Sequence, residues 1–376
     1  MRSCHRFGHR LTGEAVWRAA EQEGIAGNVF VATAALDLYV KCGEMHKARA
    51  VFDKMQNKDA VAWGAMVGGY ASSGHPREAL ELFFTMQAEG MTPECYTVAG
   101  ALSACTRLGA LDLGRRAARM VHWDEVLDNP VLGTALIDMY AKCGSTAEAW
   151  TVFQQMRKRD IIVWNAMILG LGMTGHEKIA FALVGQMEKS GMTPNDNTFI
   201  GLLCSCTHTG LVKDGRRYFH NMTQSYRISS RIEHYGCMVD LLSRAGLLEE
   251  AHRLIQDMPM QANAVIWGAL LGGCKIHRDA GLAEHALKKL ILLEPWNSGN
   301  YVMLSNIYSN SGRWEDAAKL RLEMKARGVE KVPASSWVEL DGKVHEFHVG
   351  DKSHPLSDKI YEKLDEIGHG NEDHGL

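Results

Sequence analysis

The sequence has no uninterrupted apolar stretch near the roughly 18 residues that a bilayer-spanning helix needs. Its most apolar segment, residues 161–172, is broken by Asn165. A soluble chain with no membrane partner is expected. A basic excess is also missing: 41 Lys and Arg stand against 44 Asp and Glu, a formal net charge of −3. Charge therefore gives no support to a nucleic-acid reading, and strips such as Arg157-Lys158-Arg159 and Arg216-Arg217 read as solvated faces. The nine cysteines come without a secretory signal or regular paired spacing, which points to a reducing compartment and free thiols. No acid precedes Glu14, whereas Arg2, Arg6 and Arg10 do, a pattern faintly like an organelle transit peptide but short for one.

What the chain does have is repetition. A shift of 101 residues superposes Thr33 on Thr134, Cys42 on Cys143, Gly43 on Gly144, Phe52 on Phe153, Met55 on Met156, Asp59 on Asp160 and Trp63 on Trp164. Met91-Thr92-Pro93 falls on Met192-Thr193-Pro194. Inside this long period lies a shorter one. Ala48-Val51-Phe52-Met55, Ala79-Leu82-Phe83-Met86, Ala149-Val152-Phe153-Met156, Ala180-Leu183-Val184-Met187 and Ala251-Leu254-Ile255-Met258 share the i, i+3, i+4, i+7 spacing of an amphipathic helix. Each follows another helical stretch, such as 31–40 or 132–141, closed by Gly43, Gly74, Gly144, Gly175 or Gly246.

The unit is a helical hairpin. The hairpins run 29–59, 60–94, 95–129, 130–160, 161–195, 196–231 and 232–263, so that 101 is one triplet of unlike units. A hairpin cannot bury its apolar face alone; stacked neighbours make a solenoid with a long concave surface. The expected fold is all-α: a right-handed superhelical solenoid of helix-turn-helix repeats. Residues 1–28 are a partial N-terminal repeat, with Gly13 on Gly114 and Asn28 on Asn129. The array thus begins in mid-unit, which leaves open an exposed first helix, a chain start lying upstream, or a truncated gene copy.

These phrases, together with "DMYAKCG" at 138–144, "VWNAMI" at 163–168, "IEHYGCMVDLLSRAG" at 232–246, "VIWGALLGGCKIH" at 265–277 and "KVHEFHVGDKSHP" at 343–355, resemble the plant pentatricopeptide-repeat family, in the subclass that alternates long and short motifs. A tetratricopeptide array has uniform 34-residue units, against which the unequal lengths and the endings Pro93-Glu94 and Pro194-Asn195 argue. By this resemblance, residues 264–331 are two degenerate E-type hairpins and 332–367 an E+-like segment. In it, 336–340 and 343–349 read as a small C-terminal β-hairpin on an Asp341-Gly342 turn, and Ile360, Tyr361, Leu364 and Ile367 mark a short amphipathic helix. The start at 332–337 departs from the family's usual Pro-Gly-Cys-Ser-Trp. Residues 368–376 are expected to be a disordered tail.

The resemblance implies single-stranded RNA read one base per repeat, by a residue early in each first helix and the last residue of the unit. The pairs carried over are Thr33 with Asp59, Gly64 with Glu94, Ala99 with Asn129, Thr134 with Asp160, Asn165 with Asn195, Ile200 with Arg231, and Gly236 with Asn263. Asp carboxylates accept the N–H donors of guanine, and the resemblance implies guanine at the two Thr/Asp units. Asn165 with Asn195 implies a pyrimidine, and Gly64, Ala99, Ile200 and Gly236 lack a polar reader. Phe30, Val61, Val131 and Ile162 are candidates to flank the bases. Each reader has a plainer reading as a helix cap, against which recurrence at one register weighs.

Cys204, Cys206 and His208 could suggest a metal site, but Cys206 lies 101 residues from Cys105 and so reads as a core thiol. His345 and His348 fall on opposite faces of a strand, and no metal or other cofactor is expected. Many relatives end in a zinc deaminase with H-x-E and C-x-x-C motifs; neither occurs here, so the chain is not expected to be an enzyme. The leading expectation is a specificity factor for C-to-U RNA editing in a mitochondrion or chloroplast. It would recruit a trans-acting cytidine deaminase or other editing factor through residues 264–367. A splicing, stability or translation factor, and a protein-binding scaffold, are the alternatives.

Overall fold

The computed structural model describes residues 14–15, 17–330, 335–340, 342–348 and 350–372. Arg2, Arg6, Arg10, Gly13, Asp341 and the 332–334 part of the atypical segment start lie outside them. Among the described residues, after a helical stretch at 17–22, nine helical pairs follow one another. They are α1 (Val29–Lys41) with α2 (Met45–Lys54), α3 (Ala60–Ser72) with α4 (Pro76–Ala88), and α5 (Cys95–Leu108) with α6 (Leu111–Ala118) and α7 (Trp123–Asp128). Next come α8 (Pro130–Lys142) with α9 (Thr146–Gln155), α10 (Ile161–Met173) with α11 (Glu177–Lys189), and α12 (Asp196–Thr209) with α13 (Val212–Gln224). Then α14 (Ile232–Arg244) pairs with α15 (Leu248–Asp257), α16 (Ala264–His277) with α17 (Ala280–Leu293), and α18 (Ser298–Asn310) with α19 (Trp314–Ala326). Strands β1 (Ser335–Leu340) and β2 (Lys343–His348) and helix α20 (Ser357–Glu372) complete the chain.

The periodic apolar residues are the ones that are buried. Ala48, Val51, Phe52 and Met55 of the first pair enter the core with Ala149, Val152, Phe153 and Met156 of the fourth. The turns at Gly43 and Gly144 take φ of 76° and 85°, the left-handed conformation that glycine adopts without a Cβ penalty. The 101-residue shift holds in three dimensions: Phe52 meets Trp63 edge-on with ring centroids 4.8 Å apart, and Phe153 meets Trp164 the same way at 5.1 Å. One unit departs from the pattern. Residues 111–128 lack the Ala-x-x-Leu-Phe-x-x-Met spacing, and the second helix there breaks at residues 119–122 into α6 and α7, with Val126 turned into the core.

Each first helix from α1 to α14 packs on the first helix of the next unit, whereas second helices pack mainly on first helices. The first helices therefore form a closely spaced inner wall and the second helices a looser outer layer, which curves the stack. Small residues make the close approach possible. A Cβ on Gly100 would lie 3.2 Å from Cα of Gly68 in the preceding first helix, and one on Gly273 would lie 2.6 Å from the backbone oxygen of Ser243. After α16 the stacking changes, and α18 packs on α17 instead.

The expected β-hairpin is present, with Leu340 opposite Lys343 and Gly342 at φ 68°. It folds back on residues more than 200 positions earlier. Trp337 Nε1 donates to the Leu108 carbonyl at 3.0 Å. The Glu339 carboxylate accepts from the backbone N–H groups of Asp112 and Leu113 at 3.0 and 2.7 Å, and Arg77 pairs with Glu346. The disordered tail expected from Gly368 is corrected in part: α20 continues through Glu372. Gly368 and Gly370 each cost a helix about 1 kcal/mol relative to Ala, but neither is a proline that would end it.

The inner-wall contact is open to test. Gly273→Val should lower stability by about 1–3 kcal/mol through overpacking, read as a fall in the thermal midpoint. Gly272→Val, where no atom lies within 4 Å of the added Cβ, should leave the midpoint nearly unchanged.

Candidate nucleic-acid interface

The candidate surface is the N-terminal rim of the inner wall. At the second residue of successive first helices stand Phe30, Val61, Tyr96, Val131 and Ile162, each more than half exposed, with Phe30 at 83% and Tyr96 at 76%. Single exposed apolar residues are ordinary on a protein surface. Five at one register form a row, and rows of exposed apolar groups mark binding surfaces. Tyr96 was not among the candidates from sequence, although its register, two residues after Glu94 as Val61 is two after Asp59, could have found it. Asn197 and Glu233 hold the same place in the next two units and interrupt the apolar row.

Beside this row stand the closing residues, and most of them cap the following helix. Asp59 Oδ1 accepts from Ala62 N at 2.8 Å, and Asp160 Oδ1 from Ile162 N and Val163 N at 3.0 Å each. Asn129 Oδ1 accepts from Val131 N and Leu132 N, Asn195 Oδ1 from Thr198 N, and Asn263 Oδ1 from Ile266 N. Glu94 makes no such bond. Capping and reading are therefore not exclusive alternatives here: the cap uses Oδ1 of each aspartate, and Oδ2 takes no part in it. Arg231 is held by Asp196 at 2.7 Å and by Asn197 at 3.2 Å, so it faces Ile200's unit as a bound cation rather than a free reader.

The early-helix positions fall into three states. Thr33 and Thr134 each have a hydroxyl shielded from solvent with no hydrogen-bond partner. Asn165 is engaged through one donor and one acceptor: its Nδ2 donates to Asn195 Oδ1 at 3.0 Å, and its Oδ1 accepts from Thr198 Oγ1 at 2.7 Å, which leaves its second N–H for a base edge. That contact brings the expected pair of Asn165 and Asn195 together. At Gly64 the hydroxyl of Thr97, the equivalent of Thr198, lies 2.8 Å from where a Cβ would stand. Ala99, Ile200 and Gly236 are half-buried and offer no polar side chain to the rim.

Two cations adjoin the rim that the sequence reading left among solvated faces or did not single out. Lys58 and Arg159 directly precede Asp59 and Asp160. Lys58 donates to the Met55 carbonyl at 3.0 Å, and Arg159 to the carbonyls of Phe153 and Gln154 at 2.8 and 2.6 Å. Neither is in an ion pair among the described residues, whereas Arg157 is bound to Asp124 and Asp128. The rim thus combines apolar platforms, polar edges and unneutralised positive charge, which is the combination that single-stranded nucleic acid needs.

The cysteines serve the core. Cys105 and Cys206 are buried, and burial pushes the Cys206 thiol up to about 12 and the Cys105 thiol higher still. Among the described residues no group of three or more His, Cys, Asp or Glu could hold a metal ion. No helix of the described residues is long and apolar enough to cross a membrane.

Comparison with known families gives PPR repeat matches at residues 30–59, 61–91, 134–161 and 233–261, and a PPR repeat family match at 159–208. An E motif matches residues 277–339 and an E+ motif residues 344–368. The chain is 51% identical over 97% of its length to a pentatricopeptide repeat-containing protein of Arabidopsis thaliana. It is 42% identical over 93% to a mitochondrial one and 42% over 97% to a chloroplastic one from the same plant. It spans about half of those relatives' own lengths, between 50% and 55%. The fold is similar to the crystal structure of the pentatricopeptide repeat protein PPR10 in complex with an 18-nt psaJ RNA element, with a TM-score of 0.65 at 17% identity over 85% of this chain and 48% of that one.

Thiol chemistry checks the core assignment. At pH 8 a group with a pKa near 12 is ionised to the extent of only about one part in ten thousand, so Cys206 and Cys105 should resist iodoacetamide in the native protein. Both should be alkylated after denaturation, as read by peptide mass spectrometry.

Proposed function

The chain belongs to the pentatricopeptide-repeat family, and on that premise we propose that it binds single-stranded RNA along the inner-wall rim. The observation that carries this reading is the exposed apolar row at one register, flanked by the closing residues Asp59 and Asp160, whose Oδ2 takes no part in the cap. A base inserted between successive row members stacks on apolar surface, while the early-helix and closing residues meet its edge. In the two Thr/Asp units an unpartnered hydroxyl costs roughly 1–3 kcal/mol, a cost relieved if a χ1 rotation brings it to a base. The free Asp59 and Asp160 Oδ2 accept where guanine donates, and with the family resemblance this favours guanine at Thr33/Asp59 and Thr134/Asp160 and a pyrimidine at Asn165/Asn195. The glycine, alanine and isoleucine units contribute stacking without identity. Lys58 and Arg159 supply charge toward the phosphates, and their small number gives a shallow salt dependence.

The finer function is site recognition for C-to-U editing in a mitochondrion or chloroplast, with the E and E+ segments engaging a cytidine deaminase supplied in trans. The E and E+ matches and the organellar relatives support it. Organelle transcripts from a line lacking the gene would then show lost C-to-U conversion at a specific site; unspliced or shortened RNA would point instead to a splicing or stability role. Binding that ignores salt would favour a protein scaffold.

Two measurements test the wall directly. Selection from random RNA should return guanines three positions apart followed by a pyrimidine, and a pool without that spacing overturns the register. Tyr96→Ala should weaken RNA binding by about 1–3 kcal/mol, the scale of one base stacked on an aromatic ring, in fluorescence anisotropy.

A further inference from the structure

The repeat matches end at residue 261 and the E motif match begins at 277, so all of helix α16 except its last residue, His277, falls between them. We propose that α16 is an eighth base-contacting unit of the wall, holding one more nucleotide on the 3′ side without reading its identity. This rests on the RNA-binding reading above and extends it.

The sequence of α16 copies a wall helix. Val265-Ile266-Trp267-Gly268-Ala269-Leu270-Leu271 aligns with Val61-Ala62-Trp63-Gly64-Ala65-Met66-Val67. The burial pattern agrees: Ile266, Trp267, Leu270 and Leu271 are buried, as are Ala62, Trp63, Met66 and Val67, while Val265 is 71% exposed at the register of Val61. Asn263 caps Ile266 N at 3.1 Å as Asp59 caps Ala62 N at 2.8 Å. Helix α16 also stacks on α14 through the close contact of Gly273 with Ser243. A lone exposed valine would carry no weight; one at the register, cap and stacking distance of the row resumes it after Asn197 and Glu233.

The row then stops for visible reasons. In α18 the equivalent residue is Gly299, with no side chain to flank a base. The residue that would close the α16 unit, Asn297, is consumed locally: its Oδ1 accepts from Gly299 N at 3.1 Å and its Nδ2 donates to Glu294 at 2.9 Å. Helix α18 leaves the inner wall and packs on α17. At the early-helix position Gly268 faces open space, with no atom within 4 Å of an added Cβ. The unit therefore offers an apolar flank and no polar reader, which gives affinity without base choice. The surface left for a protein partner begins after His277.

The test uses the full chain and two 5′-labelled RNAs, GNNGYNN and the same sequence with one more 3′ nucleotide, in anisotropy titrations. The longer RNA should bind about fivefold more tightly, equally for all four added bases. Val265→Ser should abolish that gain and, because Val265 also flanks the seventh base, weaken the shorter RNA by no more than about fivefold, and Phe30→Ser should weaken both; far-ultraviolet circular dichroism confirms that both variants fold. A gain that is absent, or that survives Val265→Ser, overturns the eighth unit while a Phe30→Ser effect leaves the seven-unit wall standing. If Phe30→Ser changes nothing, or neither RNA binds, the wall reading itself falls and the eighth unit with it.

Discussion

The close packing of one first helix on the next is the contact on which the rest of this structure depends. It sets the distance between successive rim residues, and so decides whether bases can enter between them. Glycines at the crossing points, such as Gly100 against Gly68 and Gly273 against Ser243, let the backbones approach. Because the second helices do not pack on each other as closely, the same contact bends the stack and turns its inner face into a groove. The apolar core is thus responsible for the geometry of a polar site.

A second consequence concerns the two ends of each first helix. The rim lies at the N-terminal ends, where the caps and the exposed row sit. The β-hairpin of the C-terminal segment docks at the opposite ends, on Leu108 and the turn that leads into α6. A helix of 13 or 14 residues, such as α3 or α5, is about 20 Å long, so the hairpin can remain docked without covering the rim. Anchored by the Glu339 carboxylate at a helix N-terminus and by the Arg77–Glu346 pair, it ties the last part of the chain to units 60–94 and 95–129. The extension and the wall are then one body.

Much of the repeat architecture was legible because stacked hairpins impose a local rule. Ala48, Val51, Phe52 and Met55 are spaced by the helix itself, and Gly43 marks a turn that few other residues adopt. The row of Phe30, Val61, Val131 and Ile162 was legible for the same reason, since register alone identifies it. Tyr96 stands at the same register and was legible by the same rule, although the sequence reading did not single it out. The break between α6 and α7 was missed because residues 111–128 have no period from which to read either one helix or two.

From the sequence alone came the helical hairpin, its register, and the positions that must face the rim, because all of these follow from spacing within some 35 residues and from a motif written repeatedly. Only the tertiary structure decided that Asp59 and Asp160 cap and leave an oxygen free, that Asn165 is bound to Asn195, that Arg231 is neutralised by Asp196, and that β1 and β2 return to Leu108. The last three depend on side chains of neighbouring wall helices, or on segments over 200 residues apart, arriving within about 3 Å of one another. Periodicity within a unit carries no information about that distance, since it is set by how closely the wall helices stack.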